Sequence, residues 1–165
     1  MHRSARVALM IGGLALGLAT PALAQTATAN LAVSASVSNN CSITTSAVAF
    51  GAYDPIVTNA TTPLDSNGAV IVTCTKGAGT RIDLGLGSNA SGSTRRMAGG
   101  AEFLTYELYT DSPGGTVWGS GATGRSITPA PSKAPRSFTV FGRVPAGQDV
   151  SATTYNDTVV ATINF

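Results

Sequence analysis

The sequence predicts an all-β domain, a sandwich or barrel, preceded by a removable leader and a strand-like extension. Short β-type runs alternate with clusters of Gly, Pro, Asn, Ser and Thr along the chain, and no stretch sustains apolar residues at helical spacing. Residues 27–37 place Ala27, Ala29, Leu31, Val33, Ala35 and Val37 on one face and mostly Thr, Asn and Ser on the other. The run 155–165 also alternates, with Val159, Ala161, Ile163 and Phe165 sharing a face and no turn or partner strand after it. A spare strand and an unpaired strand edge imply a pairing, with a second copy as the obvious partner.

Taken in order, the chain begins with His2, Arg3 and Arg6, an apolar run over 7–19, then Pro21 and the small-residue site Ala22-Leu23-Ala24. These are the parts of a secretory signal peptide over 1–24, cut after Ala24. The run is shorter than the ~20 apolar residues of a membrane span, so no span is expected in the mature chain. An extension over 25–40 and one domain over 41–165 follow. The precursor carries ten Lys and Arg against eight Asp and Glu, and loss of Arg3 and Arg6 with the leader leaves a balanced chain. Apart from Arg95-Arg96 its charges are single and scattered, which argues against nucleic acid and against a polybasic membrane patch.

Cys41 and Cys74 are the two cysteines, both beyond the leader and so delivered to an oxidising compartment, where one disulfide is expected. A metal site is the weaker reading, because the single histidine, His2, leaves with the leader and no Cys-x-x-Cys pair is present. Cys41 opens one predicted strand and Cys74 closes another, so the bridge ties neighbouring strands within or across sheets.

The expected strands are 31–38, 42–50, 68–75, 81–86, 103–110, a short piece at Val117-Trp118, 137–143 and 156–165. Pro63 to Gly68 reads as a turn feeding a strand, 87–100 as a polar loop with four glycines, and 119–136, with three prolines, as the least ordered stretch. Arg95-Arg96 therefore falls in a loop, solvated or facing an anionic surface. Tyr155 is either a tyrosine corner bonding back to the chain or plain core packing. Trp118-Gly119 is the candidate for stacking on a sugar.

Catalysis has little support. The mature chain lacks a histidine, a Gly-x-Ser-x-Gly elbow, a phosphate loop and clustered metal ligands, so neither enzyme nor cofactor is expected. Its carboxylates, Asp54, Asp65, Asp83, Glu102, Glu107, Asp111, Asp149 and Asp157, are dispersed.

Several stretches, in order, carry a family resemblance: Cys41-Ser42-Ile43, Val48-Ala49-Phe50-Gly51-Ala52-Tyr53-Asp54, Gly68-Ala69-Val70-Ile71-Val72-Thr73-Cys74 and Arg96-Met97. Leu104-Thr105-Tyr106-Glu107-Leu108-Tyr109-Thr110-Asp111, Val117-Trp118-Gly119, Phe141-Gly142-Arg143-Val144-Pro145-Ala146-Gly147-Gln148 and Tyr155-Asn156-Asp157-Thr158, running to Phe165, continue it. Together they resemble the spore coat protein U domain family, which includes the Csu-type pilins of archaic chaperone-usher pili. The resemblance implies an incomplete immunoglobulin-like β-sandwich lacking its last strand, in a pilus subunit secreted through the periplasm to the cell surface. It further implies a periplasmic chaperone that lends a strand, an outer-membrane usher, and related subunits whose N-terminal extensions replace the chaperone's strand. On this chain the donor strand falls on 28–37, with Leu31, Val33, Ala35 and Val37 entering the groove, and the acceptor edge includes Val159, Ala161, Ile163 and Phe165. Attachment or biofilm formation would be the service of such a fibre. The alternatives are a self-complemented coat or envelope protein, in which the extension is the domain's own first strand, and a carbohydrate-binding adhesin using Trp118.

Overall fold

A computed structural model of the chain describes residues 23–165, so the leader predicted over 1–24 lies almost wholly outside the described residues. Two compact units are distinguished, Met1–Ala35 and Ser36–Phe165. In the first, residues 23–35 belong to no strand, and Leu31 and Val33 are 88% and 86% exposed. The strand expected over 31–38 is therefore absent from the single chain. A strand exists only where its backbone N–H and C=O groups meet a ladder partner, and among the described residues no ladder reaches this segment.

The second unit is a sandwich of eight strands: β1 (Cys41–Ser46), β2 (Leu64–Cys74), β3 (Thr80–Leu84), β4 (Arg95–Gly99), β5 (Glu102–Tyr109), β6 (Arg125–Ile127), β7 (Arg136–Val144) and β8 (Ala161–Asn164). One sheet has the order β1-β2-β7-β5-β4 and the other β6-β3-β8, and every pairing is antiparallel. Period-two alternation decides which face each strand buries. In β2 it turns Val70, Val72 and Cys74 inward, in β5 Leu104, Tyr106 and Leu108, and in β7 Val140 and Val144. Ile82 and Leu84 of β3 answer from the other sheet, and Trp118, fully buried, joins the same core.

Three departures from the expected strands share a cause, which is that tertiary pairing overrode local composition. Strand β2 begins at Leu64, inside the stretch read as a turn, because its residues pair in register with β7 from Leu64↔Val144 onward. The strand expected over 42–50 ends at Ser46, after which 47–50 turns across the inner face of the larger sheet. Glycines make that crossing possible: a Cβ on Gly142 would lie 2.6 Å from Val48 Cγ1 and 2.8 Å from Phe50 Cζ, and one on Gly68 2.7 Å from Val48 Cγ2. Strands β4 and β6 arise in stretches read as loops, each as a short edge strand recruited by a neighbour.

Cys41 and Cys74 are directly opposite in the β1–β2 register and form the disulfide, with Cα atoms 4.1 Å apart. The bridge closes a sequence separation of 33 residues. On the loop-entropy model that stabilises by about 3–4 kcal/mol. Replacing both cysteines by serine is expected to lower the free energy of unfolding by about that amount, read as a reduced urea midpoint with a steeper slope, because the unbridged chain unfolds to a more expanded state.

Candidate functional site

The candidate site is the seam where the sandwich fails to close. Strand β8 is bonded along one edge to β3, in the register Ile82↔Ile163 and Leu84↔Ala161. That edge is continued by Gly85 N–H to the Val160 carbonyl at 2.9 Å and Ser88 N–H to the Thr158 carbonyl at 3.1 Å. Further back, Asn156 and Ala98 exchange backbone hydrogen bonds, tying the approach of β8 to β4. The strand bonds thus cover much of the predicted 156–165, although the regular ladder is limited to Ala161–Asn164. The opposite edge of β8 has no ladder partner among the described residues.

Facing that free edge is the segment 45–50, and between the two lies an open apolar groove. It holds two adjoining cavities of about 360 and 740 Å³ that share Ala47, Val48, Phe50, Met97 and Asp157. The smaller is floored by Val70, Leu84, Tyr106, Leu108 and Val140, and walled on the β8 side by Val159 and Ala161. The larger continues past Leu64, Leu104 and Val144 to Tyr53, Pro55 and 150–156. Phe50 meets Tyr106 edge-on, with ring centroids 6.1 Å apart.

One polar cluster lies in this apolar wall. Tyr106 donates its hydroxyl to Asp157 Oδ2 at 2.7 Å, while the backbone N–H and Nδ2 of Asn89 donate to Asp157 Oδ1 at 3.1 and 3.0 Å. Burial first, and then the bond to Asp157, push the Tyr106 hydroxyl well above its ordinary value, so it remains a donor. The cluster ties Asp157, on the approach to β8, to Tyr106 of β5 and to Asn89.

Of the residues expected at the acceptor edge, Val159, Ala161 and Ile163 are half-buried and pack against the core, whereas Phe165 is 55% exposed. Of the expected donor residues, Ala35 is exposed like Leu31 and Val33, and Val37 is 84% exposed. The opposing wall of Val48 and Phe50, the floor residues and Asp157 had not been assigned to a site from the sequence. The alternation Val48, Phe50 carries the signal for that wall, although in sequence it is indistinguishable from the end of an ordinary strand.

Two expectations are corrected. Trp118 offers no face for a sugar to stack on: it is fully buried and its Nε1–H donates to the Ile82 carbonyl at 2.9 Å. Arg95 is not in a solvated loop but on β4, 1% exposed. Its Nε donates to the Gly85 carbonyl at 3.0 Å, its Nη2 to the carbonyls of Gly85, Leu84 and Trp118, and its Nη1 to Glu107. This one guanidinium joins both sheets behind the groove. Arg96, its neighbour, lies 3.9 Å over the Phe103 ring. Tyr155 bonds back to the carbonyl of Ser151 at 3.0 Å and to Glu102 at 3.2 Å, the geometry of a tyrosine corner.

The family model of the Spore Coat Protein U domain matches residues 27–162. The chain belongs to that family. It is a structural protein, not an enzyme. Protein U of Myxococcus xanthus is 40% identical over 173 residues, covering 96% of both chains. Among solved structures, the chain is similar to the complex of a chaperone with the tip adhesion subunit from the archaic chaperone-usher Csu pili of Acinetobacter baumannii. The match has a TM-score of 0.56 and 25% identity over 78% of this chain. It spans 40% of the length of that solved chain. The two sheets and their unpaired edge are those of an immunoglobulin-like sandwich lacking a strand.

Proposed function

We propose that the chain is a chaperone-usher pilus subunit, exported to the cell surface, whose extension completes the sandwich of the next subunit. The observation that carries this reading is the groove itself, an apolar trough with one free strand edge and, among the described residues, no strand laddered along it. A sandwich with such a seam leaves backbone donors and acceptors beside exposed apolar floor, and an incoming strand satisfies both at once. The extension has the matching form, with Leu31, Val33, Ala35 and Val37 on one face and largely uncovered. Each Leu or Val buried in the next subunit's groove contributes roughly 1.5–3 kcal/mol, and the Ala less.

In this reading a periplasmic chaperone first holds the groove with its own strand, an outer-membrane usher exchanges it for the extension of the next subunit, and the fibre serves attachment or biofilm formation. The likeness to a chaperone-bound pilus subunit supports the chaperone step. The test is a deletion of 25–37, co-expressed with the chaperone: a chaperone-bound subunit that forms no SDS-resistant ladder is expected. Fibres of normal length from the deletion variant would rule the reading out.

A further inference from the structure

The strands of the domain run between two ends whose exposed chemistry is opposite. One end holds the disulfide, the β2–β3 connection and the stretch leading into β7. Its charged side chains are Lys76, Lys133 and Arg136, and no Asp or Glu falls in 36–46, 73–80 or 128–137. The other end holds the turn before β2, the β4–β5 turn and the stretch after β7. Its acidic side chains are Asp54, Glu102 and Asp149, no Lys or Arg falls in 50–64, 99–103 or 145–155, and the cation nearest by is Arg96, held over the Phe103 ring.

The acidic end also carries an apolar pair in a rigid setting. Asp54 Oδ1 accepts the N–H groups of Ile56 and Val57 at 3.0 and 3.1 Å, and the Asn59 side chain bonds Asp54 N–H and the Thr62 carbonyl, both at 2.9 Å. Asn59 is itself buried, and its carbonyl accepts from Gly147 N–H at 2.8 Å. This locked turn nevertheless presents Ile56 and Val57 at 82% and 74% exposure. At the basic end, the start of the domain is equally fixed: Thr75 Oγ1 donates to the Ser38 carbonyl, Thr75 N–H to the Asn40 carbonyl, and Asn40 N–H to Thr75 Oγ1. No slack chain separates Val37 from the body.

We propose that the acidic end of one copy docks against the basic end of the next, with Ile56 and Val57 packing on the lysine stems, as a second contact at each joint of the fibre. The inference rests on the donor-strand reading above. Antiparallel addition, the pairing used throughout both sheets, runs the donor from the basic to the acidic end of the acceptor's β8. The donating copy's own basic end therefore emerges at the acceptor's acidic end, held close by the pinned Ser38–Asn40 stretch. Lysine methylenes cover apolar groups while the ammonium pairs with a carboxylate, so one surface can meet both demands. Such a contact is heterologous and head-to-tail, the arrangement that propagates into a filament.

Zero-length carbodiimide coupling of assembled fibres, followed by peptide mapping, tests this. The 11-residue β2 separates the two ends by about 35 Å, so an amide between them arises only across copies. The expected result is coupling of Lys76 or Lys133 to Asp149 or Glu102, reduced several-fold in an Ile56→Ser, Val57→Ser variant whose SDS-resistant ladder is intact. Ladders with no coupling between the ends overturn the inference and leave the donor-strand reading standing. Absence of any ladder from the unaltered chain overturns both.

Discussion

A Val33→Asp chain is expected to remain a folded, chaperone-competent subunit and to lose its place in the fibre. Val33 is 86% exposed in the single chain, so the substitution leaves the domain's own core intact and its melting temperature within about 1–2 °C of the unaltered protein. In the proposed joint the same position would turn into the apolar groove. The loss is then the Val burial, about 1.5–3 kcal/mol, together with the cost of desolvating an unpaired carboxylate, which is several kcal/mol more. Joints weakened by at least about a thousandfold follow from that sum. The measurement is the SDS-resistant ladder beside a thermal melt of the monomer; an intact ladder from the Asp variant would show that Val33 does not enter the groove.

Replacing Arg95 by methionine is expected to cost about 2–4 kcal/mol of stability, because the carbonyls it holds lose their donor on removal. The comparable length of methionine keeps much of the packing, so the effect isolates the guanidinium. Its removal leaves the carbonyls of Leu84, Gly85 and Trp118 without their donor, those of Leu84 and Trp118 where water has little access, and the half-buried Glu107 without its cation. Lysine is expected to rescue only a small part, because one ammonium cannot reproduce a fork that reaches three carbonyls and a carboxylate. Urea unfolding of the mature chain reads the difference directly. A loss below about 1 kcal/mol in the methionine variant would mean that the network is not a structural tie.

Arg95 also shows why parts of the fold could not be read locally. In sequence it stands beside Arg96 in a stretch rich in glycine and serine, the composition of a solvated loop. Its burial depends on carbonyls contributed from 84–85 and 118, which come together only when the two sheets pack. Trp118 is the same case: a lone tryptophan beside glycine reads as a surface platform until Ile82 supplies a partner for its indole N–H. By contrast β2, β5 and β7 were legible, because alternation over Val70, Val72, Cys74, over Leu104, Tyr106, Leu108 and over Val140, Val144 is a property of consecutive residues.

The groove divides along the same line. Its β8 side was visible as a strand with one apolar face, while its other wall required Gly68 and Gly142 to let Val48 and Phe50 cross the sheet. Alternation, the cysteine count and the order of motifs determined by themselves an all-β domain of this family with a spare apolar segment. Those features are encoded in neighbouring residues. The far wall of the seam, the Tyr106–Asp157 bond within it, the buried guanidinium and the placing of acidic and basic side chains at opposite ends were decided only by the tertiary structure. Each depends on groups brought together across strands, and no local pattern specifies which strand lies beside which.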